Sequence, residues 1–449
     1  MADLTALWEV GLPLAGAGGG LGYAKARAPR VYWSLVGLPV ARVRFAVSYR
    51  ATMDVCGLTV QPSRLRAFLV RNLARRSDVQ PVPPKVRRVR GSSTGMRVTL
   101  RLPAGLEPAD VIAASERLRH AWGVHSVAVV ETRPGFVELR MTGYDVLRRV
   151  KMPRRRPTGP MTVPVALRED GTAFVRDYRK VPHALTLGAN QSGKSMYLRN
   201  LIVELARLPV ALVGIDCKRG VEQRRYAPRL SALAITPDEA SGLLDALVDE
   251  MESRFDLLSA YGAADVWDLP EKVRPVPIVL LVDEVAELFL VTGKKDEERR
   301  DRMVMQLIRL GQLARAAAIY LEICGQRFGS DLGKGATSLR AQLTGRVVHR
   351  VNDKQTADMG LGDIAPDAVA AVTAIPPDKP GVAVAGDSSG GWSRIRTPEL
   401  SADDAAAVCV QYAGLTPALP VLAPYRPVVT SEAASPGPVP LVKPIPATD

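Results

Sequence analysis

Residues 185–200 read LTLGANQSGKSMYLRN. An apolar run stops at Leu187. Two glycines then bracket four small or polar residues, and Lys194 and Ser195 open a stretch with helical periodicity. The spacing is GxxxxGK[ST], with a strand pattern before it and a helix pattern after it. The glycines let the backbone curl, so that successive N–H groups turn toward anionic oxygens. The start of the following helix adds its positive dipole end. On this reading Gly188, Ala189, Asn190, Gln191, Ser192, Gly193, Lys194 and Ser195 cradle the phosphates of ATP. Lys194 reaches the β and γ phosphates, and the Ser195 hydroxyl ligates Mg²⁺.

A second element follows downstream. The stretch PIVLLVDE, residues 277–284, is a buried apolar strand ending in two acids. Asp283 is placed to hold the Mg²⁺ shell and Glu284 to polarise an attacking water. An adjacent glutamate points to hydrolysis coupled to conformational work. A further strand, VALVGID, residues 210–216, lies between the phosphate loop and the two acids, an insertion that marks the RecA-like branch of P-loop ATPases. The strand after the acids ends in Gln326, a polar group placed to sense the γ-phosphate. Arg315 and Arg327 flank that strand. An arginine donated by a neighbouring subunit commonly completes such sites, and Arg315 is the candidate, with Arg327 next.

Outward from these motifs, strands and helices alternate from about 161 to 395. Near-continuous apolar strands between helices predict an α/β fold with a parallel sheet covered on both faces. Residues 1–30 read as a Gly-rich leader, and residues 31–150 as a basic α+β region. In that region MRVTLRL alternates like a strand, EPADVIAASERLRHAW reads as a capped helix, and SVAVVETRPGFVELRMT reads as a hairpin turning at Pro134 and Gly135. The prolines of PVPPKVRRVRG mark a linker, and KMPRRRPTGP at 151–160 a basic joint. The ATPase domain is expected over 161–400, followed by a C-terminal segment, 401–449, whose Pro-rich end is expected to be disordered.

The charge is asymmetric. Residues 1–180 carry 31 Lys and Arg against 13 Asp and Glu; residues 181–449 carry 29 against 33. A preference for Arg over Lys follows from coding bias, but the concentration of charge in the first part does not. It points to a polyanionic partner. Four scattered cysteines and four histidines, with no CxxC pair, argue against a zinc site and for free thiols in a reducing cytosol. Residues 4–24 are nearly apolar, yet Glu9 and many glycines make them a poor membrane-spanning helix. Peripheral placement at the membrane stays open.

The segments GANQSGKSMYLRNLI, GIDCKRG, IVLLVDEVAEL and LARAAAIYLEICGQR together resemble the FtsK/SpoIIIE family of double-stranded DNA translocases over roughly residues 160–390. TGRVVHRVNDKQTADMGLG is similar to the family's later strand–loop segment, and VYWSLVGLP is like the N-terminal regions of the Tra conjugative transfer proteins of mycelial actinobacteria. The resemblance implies a hexameric ring, ATP-driven movement on duplex DNA, and placement at a membrane or septum. It implies the family's ATPase roles for Lys194, Ser195, Asp283, Glu284 and Gln326. Asp216 and Lys218 stand where the family has an Asp-Pro-Lys element, with Cys217 in place of the proline. No winged-helix pattern is read after residue 400. Two other functions stay open: a related ATPase of specialised protein secretion, and a DNA-binding adaptor that binds ATP without hydrolysing it. A single ATPase module and the basic first part favour DNA as cargo over protein, and an intact Glu284 favours hydrolysis.

Overall fold

The computed structural model describes residues 23, 25–61, 81–153, 159–362, 366–387 and 391–428. Most of the expected leader, the arginines Arg154–Arg156 of the basic joint, and the Pro-rich end from 429 lie outside the described residues. The chain forms two compact units, Met1–Arg149 with Glu169–Gly171, and Val150–Arg168 with Thr172–Asp449. No helix of the described residues is long and apolar enough to cross a membrane.

In the first unit a helical turn, Pro29–Tyr32, and a π-turn, Trp33–Gly37, lead into helix α1 (Leu38–Val55). Strands β1 (Lys85–Gly91) and β2 (Gly95–Arg101) follow. Next come helices α2 (Pro108–Ala113) and α3 (Ser115–Trp122), then strands β3 (Ser126–Arg133) and β4 (Phe136–Thr142). The start of α2 is set by Pro108 at the first turn and a reciprocal cap between Glu107 and Asp110; α3 ends at Gly123, whose φ is 63°. The strands form an antiparallel sheet in the order β1-β2-β4-β3. Strict alternation sends Met96, Val98 and Leu100 of β2 and Val137, Leu139 and Met141 of β4 to one face. There they pack with Phe45, Met53, Leu118 and Trp122, all buried. Each such burial is worth about 1.5–3 kcal/mol. The segment expected to be a linker, 85–91, is instead strand β1. Its prolines precede the strand, and its arginines stand exposed on a sheet edge where their charges keep water.

The second unit holds a ten-stranded sheet. Its elements in chain order are β5 (Thr162–Arg168), β6 (Ala173–Asp177), β7 (His183–Leu187), α4 (Lys194–Ala206), β8 (Ala211–Ile215), β9 (Leu230–Ala234), α5 (Pro237–Tyr261), β10 (Ile278–Val282), α6 (Lys294–Leu313), β11 (Ile319–Gly325), α7 (Ala336–Gln342), β12 (Gly345–His349), α8 (Lys354–Leu361), α9 (Pro366–Thr373), β13 (Val382–Gly386), β14 (Trp392–Arg396) and α10 (Ala402–Gln411). The order is β6-β5-β14-β13-β12-β7-β11-β10-β8-β9. The six strands from β12 to β9 are mutually parallel, as the apolar runs predict. The other four join antiparallel, so the sheet is mixed. Ile278, Leu280 and Val282 of β10 face one core, and Val279 and Leu281 the other. This two-sided burial explains why the strand reads as an unbroken apolar run.

One polar residue interrupts β11. Glu322, 1% exposed, pairs with buried Arg176 of β6 at 2.8 Å. The start of the expected tail is also ordered. Leu422 is fully buried, and the carbonyls of Pro417 and Pro228 accept hydrogen bonds from Ser231 and Thr416 respectively. Apolar side chains between the prolines give this segment something to bury.

Candidate active site

The site grows from the carboxyl ends of the parallel strands, where β7, β11, β10 and β8 lie side by side. The loop after β7 is held at both flanks. Gly188 donates its N–H to the Gly325 carbonyl at 3.2 Å, and Ala189 donates to the Arg350 carbonyl at 2.9 Å. The Arg350 guanidinium donates to the Asn190 carbonyl at 3.3 Å. On the other side Gly381 donates to the Ser192 carbonyl at 2.9 Å. Two residues take left-handed backbone, Gln191 with φ 60° and Gly193 with φ 102°. A methyl group on Gly193 would lie 2.3 Å from the Gly381 nitrogen. Glycine is therefore required there twice over, by torsion and by the close backbone approach.

Among the described residues no acceptor meets the backbone N–H groups of Asn190, Gln191, Gly193, Lys194 or Ser195. These donors cluster at the start of the 13-residue helix α4, where the dipole is positive. They form a concave set of donors of the kind that binds phosphate.

Lys194 and Glu284 meet. The Lys194 ammonium lies 3.0 Å from Glu284 Oε2, with the side chains 11% and 5% exposed. Glu284 Oε1 accepts the Gln326 N–H at 3.1 Å, which ties the end of β10 to the end of β11. Lys218 Nζ approaches the same carboxylate at 3.5 Å from the loop after β8. Asp283 is buried, its N–H donates to the Ile215 carbonyl, and burial raises its carboxyl pKa against the pull of Lys194. A carboxylate held in this way gains from a cation beside it. The donor amides, Lys194, the Ser195 hydroxyl and buried Asp283 together fit a nucleoside triphosphate with one divalent cation.

The turn after β8, which contains Cys217, is tied together by hydrogen bonds. Buried Asp216 accepts the N–H groups of Lys218 at 3.3 Å, Glu222 at 3.0 Å and Gln223 at 3.1 Å. Arg219 and Gly220 supply the positive φ angles that the turn needs.

Thus one edge of the sheet gathers Gly188 to Ser195, Asp283, Glu284 and Gln326. The Gln326 side chain is on an exposed residue beside Glu284. Arg315 lies elsewhere. It is exposed in the turn before β11, near His183 at the start of β7. The seven residues of β11 separate it from the loop by about 20 Å. Arg327 stands at the site's edge, donating to Gln355 at 2.9 Å. Sequence reasoning missed the supports of the loop, Arg350 and Gly381. Resemblance alone points to Lys218, and the structure adds its contact with Glu284.

The comparisons agree with this architecture. Residues 20–143 match the actinomycete conjugal transfer protein N-terminal domain, and residues 146–274 and 268–330 match the FtsK/SpoIIIE family. A transfer protein, TraSA, of Streptomyces ambofaciens is 54% identical over 420 residues, covering 90% of this chain and all of that protein. A sporulation regulatory protein of Streptomyces azureus is 69% identical over 271 residues, 60% of this chain and 89% of that one. The DNA translocase FtsK of Lactococcus lactis is 28% identical over 281 residues, which is 56% of this chain and 36% of the longer relative. Among solved structures, the pCW3 conjugation coupling protein TcpA, a monomer with ATPγS, superposes with a TM-score of 0.53 at 19% identity, over 72% of this chain and 90% of that one. That likeness is one of fold, a RecA-like P-loop ATPase fold. With its FtsK/SpoIIIE match and a 54%-identical transfer protein covered in full, the chain belongs to the FtsK/SpoIIIE family, with an actinomycete conjugal-transfer N-terminal domain.

Proposed function

We propose that this chain is an ATP-driven translocase of double-stranded DNA serving conjugative transfer of a plasmid or integrative element. The observation that carries the reading is the meeting of Lys194, Glu284 and the Gln326 amide beside a loop of acceptor-free N–H groups, in a chain of this family. The amides of 190, 191 and 193–195 and Lys194 hold the β and γ phosphates. Ser195 and Asp283 hold Mg²⁺, which when bound neutralises charge on the phosphate oxygens. Glu284, freed from Lys194, accepts a proton from water, and Gln326 senses the γ-phosphate. Arg315, too far from the loop of its own subunit, serves the site of a neighbouring copy in a ring, which we take to be hexameric. The ring works at the membrane or septum through peripheral association.

The experiment is ATP hydrolysis by the full chain with and without duplex DNA, and with unfolded or secreted proteins in place of DNA. Stimulation by duplex DNA alone, lost in Lys194→Ala, supports the reading. Stimulation by protein and not DNA would turn it toward secretion. DNA binding with no hydrolysis under any condition would turn it toward an adaptor.

A further inference from the structure

The antiparallel sheet of the first unit has one face buried and one open. On the open face the strand register stacks like charges. Arg90 of β1 lies opposite Arg97 of β2, and Arg97 lies opposite Arg140 of β4. Lys85 lies opposite Arg101, and Arg88 opposite Thr99. Like charges directly opposite one another on adjacent strands destabilise a sheet. Arg140 is relieved by Glu138 at 2.8 Å and Arg97 by Asp170 at 3.4 Å. Lys85, Arg88, Arg90 and Arg101 are exposed and have no ion-pair partner among the described residues. The fold thus bears a repulsive ladder that is offset at Arg97 and Arg140 but, among the described residues, not at Lys85, Arg88, Arg90 or Arg101. At one end of the face the Arg133 guanidinium stacks over the half-buried Phe136 ring at 3.9 Å, which holds a further cation on the same side.

We infer that this open sheet face binds the phosphate backbone of duplex DNA, as a second DNA contact outside the motor. The inference rests on the reading of the chain as a DNA translocase. Three rows of outward residues on four strands span about 14 Å each way. Duplex DNA of that length carries about eight phosphates, so the scale of charge matches. All but one of the face's cations are arginines, whose planar forks bind phosphate oxygens in pairs. Among the described residues the face also lacks the large exposed apolar side chains that an anionic bilayer would take up. In this unit those lie mainly on the helical segment 29–55, at Val31, Leu35, Val40, Val43 and Val47. Contacts of this kind carry no base information, so the face should grip any sequence.

The test uses the full chain and the variant Arg88→Gln, Arg90→Gln, Arg101→Gln. Duplex binding is titrated by fluorescence anisotropy across a salt series on two unrelated sequences. Each phosphate contact contributes about 0.9 to the log–log salt slope, so the variant's slope should flatten by up to about 2.7 per subunit. Between 50 and 200 mM salt it should lose about 40-fold less affinity than the wild type. Both sequences should respond alike. Basal hydrolysis without DNA should be unchanged. The melting temperature should hold or rise, because a repulsive ladder is relieved; a merely structural role would lower it. If the triple variant does not fold, Arg90→Gln alone should flatten the slope by about 0.9. An unchanged slope with DNA-stimulated hydrolysis intact overturns the sheet face while leaving the motor reading in place. Absence of duplex binding and of stimulation in the wild type overturns both. Loss of binding to phosphatidylglycerol vesicles with an unchanged DNA slope assigns the face to lipid and overturns the inference.

Discussion

Replacing Glu284 with glutamine removes the negative charge that pairs with two lysines in the candidate site. Its carboxylate lies 3.0 Å from Lys194 Nζ and 3.5 Å from Lys218 Nζ. At an effective dielectric near 20 the gross attraction to Lys194 is about 5.5 kcal/mol. Desolvation of the two nearly buried groups offsets much of this, and Lys218, 40% exposed, adds little after screening by water. The net loss on neutralisation is about 1–3 kcal/mol. Without nucleotide the melting temperature should therefore fall by roughly 2–4 °C per kcal/mol lost. Glutamine keeps an oxygen for the Gln326 N–H, so the loop after β11 should hold its place. Lys194, released from a competing carboxylate, should bind the triphosphate at least as tightly as in the wild type. Hydrolysis should drop by about 10²–10⁴ if Glu284 takes the proton from water. Three measurements read these effects: thermal unfolding without nucleotide, titration with a fluorescent ATP analogue, and single-turnover hydrolysis on duplex DNA. The distinctive result is opposite movement, with stability and turnover down and binding held or raised. Turnover at the wild-type rate would refute the assignment of the base, whatever the stability did.

Gly193→Ala places a methyl group against the Gly381 backbone at 2.3 Å on a φ of 102°, so it should cost about 1–3 kcal/mol from torsion alone and weaken nucleotide binding, read by unfolding and titration together. Burial holds the imidazoles of His349 and His183 neutral, with pKa values lowered to about 4 and about 3. The unfolded chain therefore binds more protons below pH ~6.5, and stability should fall on acidification by up to about 1.4 kcal/mol per pH unit for each histidine, until the folded values are reached. Denaturant midpoints from pH 7 to pH 5 test this, and His349→Asn should halve the slope. Mixing Arg315→Ala subunits with Glu284→Gln subunits should restore some hydrolysis at hybrid interfaces; no recovery in a proven co-assembly would move the trans role to Arg327.

Much of the ATPase domain was legible along the chain because its signals are local. A GxxxxGK[ST] loop needs only the residues on either side to declare a strand, a phosphate cradle and a helix. Strands such as 278–282 are buried on both faces, so each residue is apolar and the run shows itself. The alternation in 95–101 and 136–142 declared a half-buried sheet for the same reason. What the chain by itself could not decide was whatever depends on partners distant in sequence. The linker reading of 85–91 failed because an edge strand full of arginine has no local apolar signal; only pairing with β2 makes it a strand. The antiparallel strands of the ten-stranded sheet depend on which strands meet. The supports of the phosphate loop, Arg350 and Gly381, lie more than 150 residues from it, and Glu322 finds Arg176 across 146 residues. Spacing in the chain named the loop and its acids. Tertiary structure alone brought Glu284 to Lys194, kept Arg315 at the far end of its strand, and aligned the arginines of three strands on one open face, because charge and contact act through distance in space.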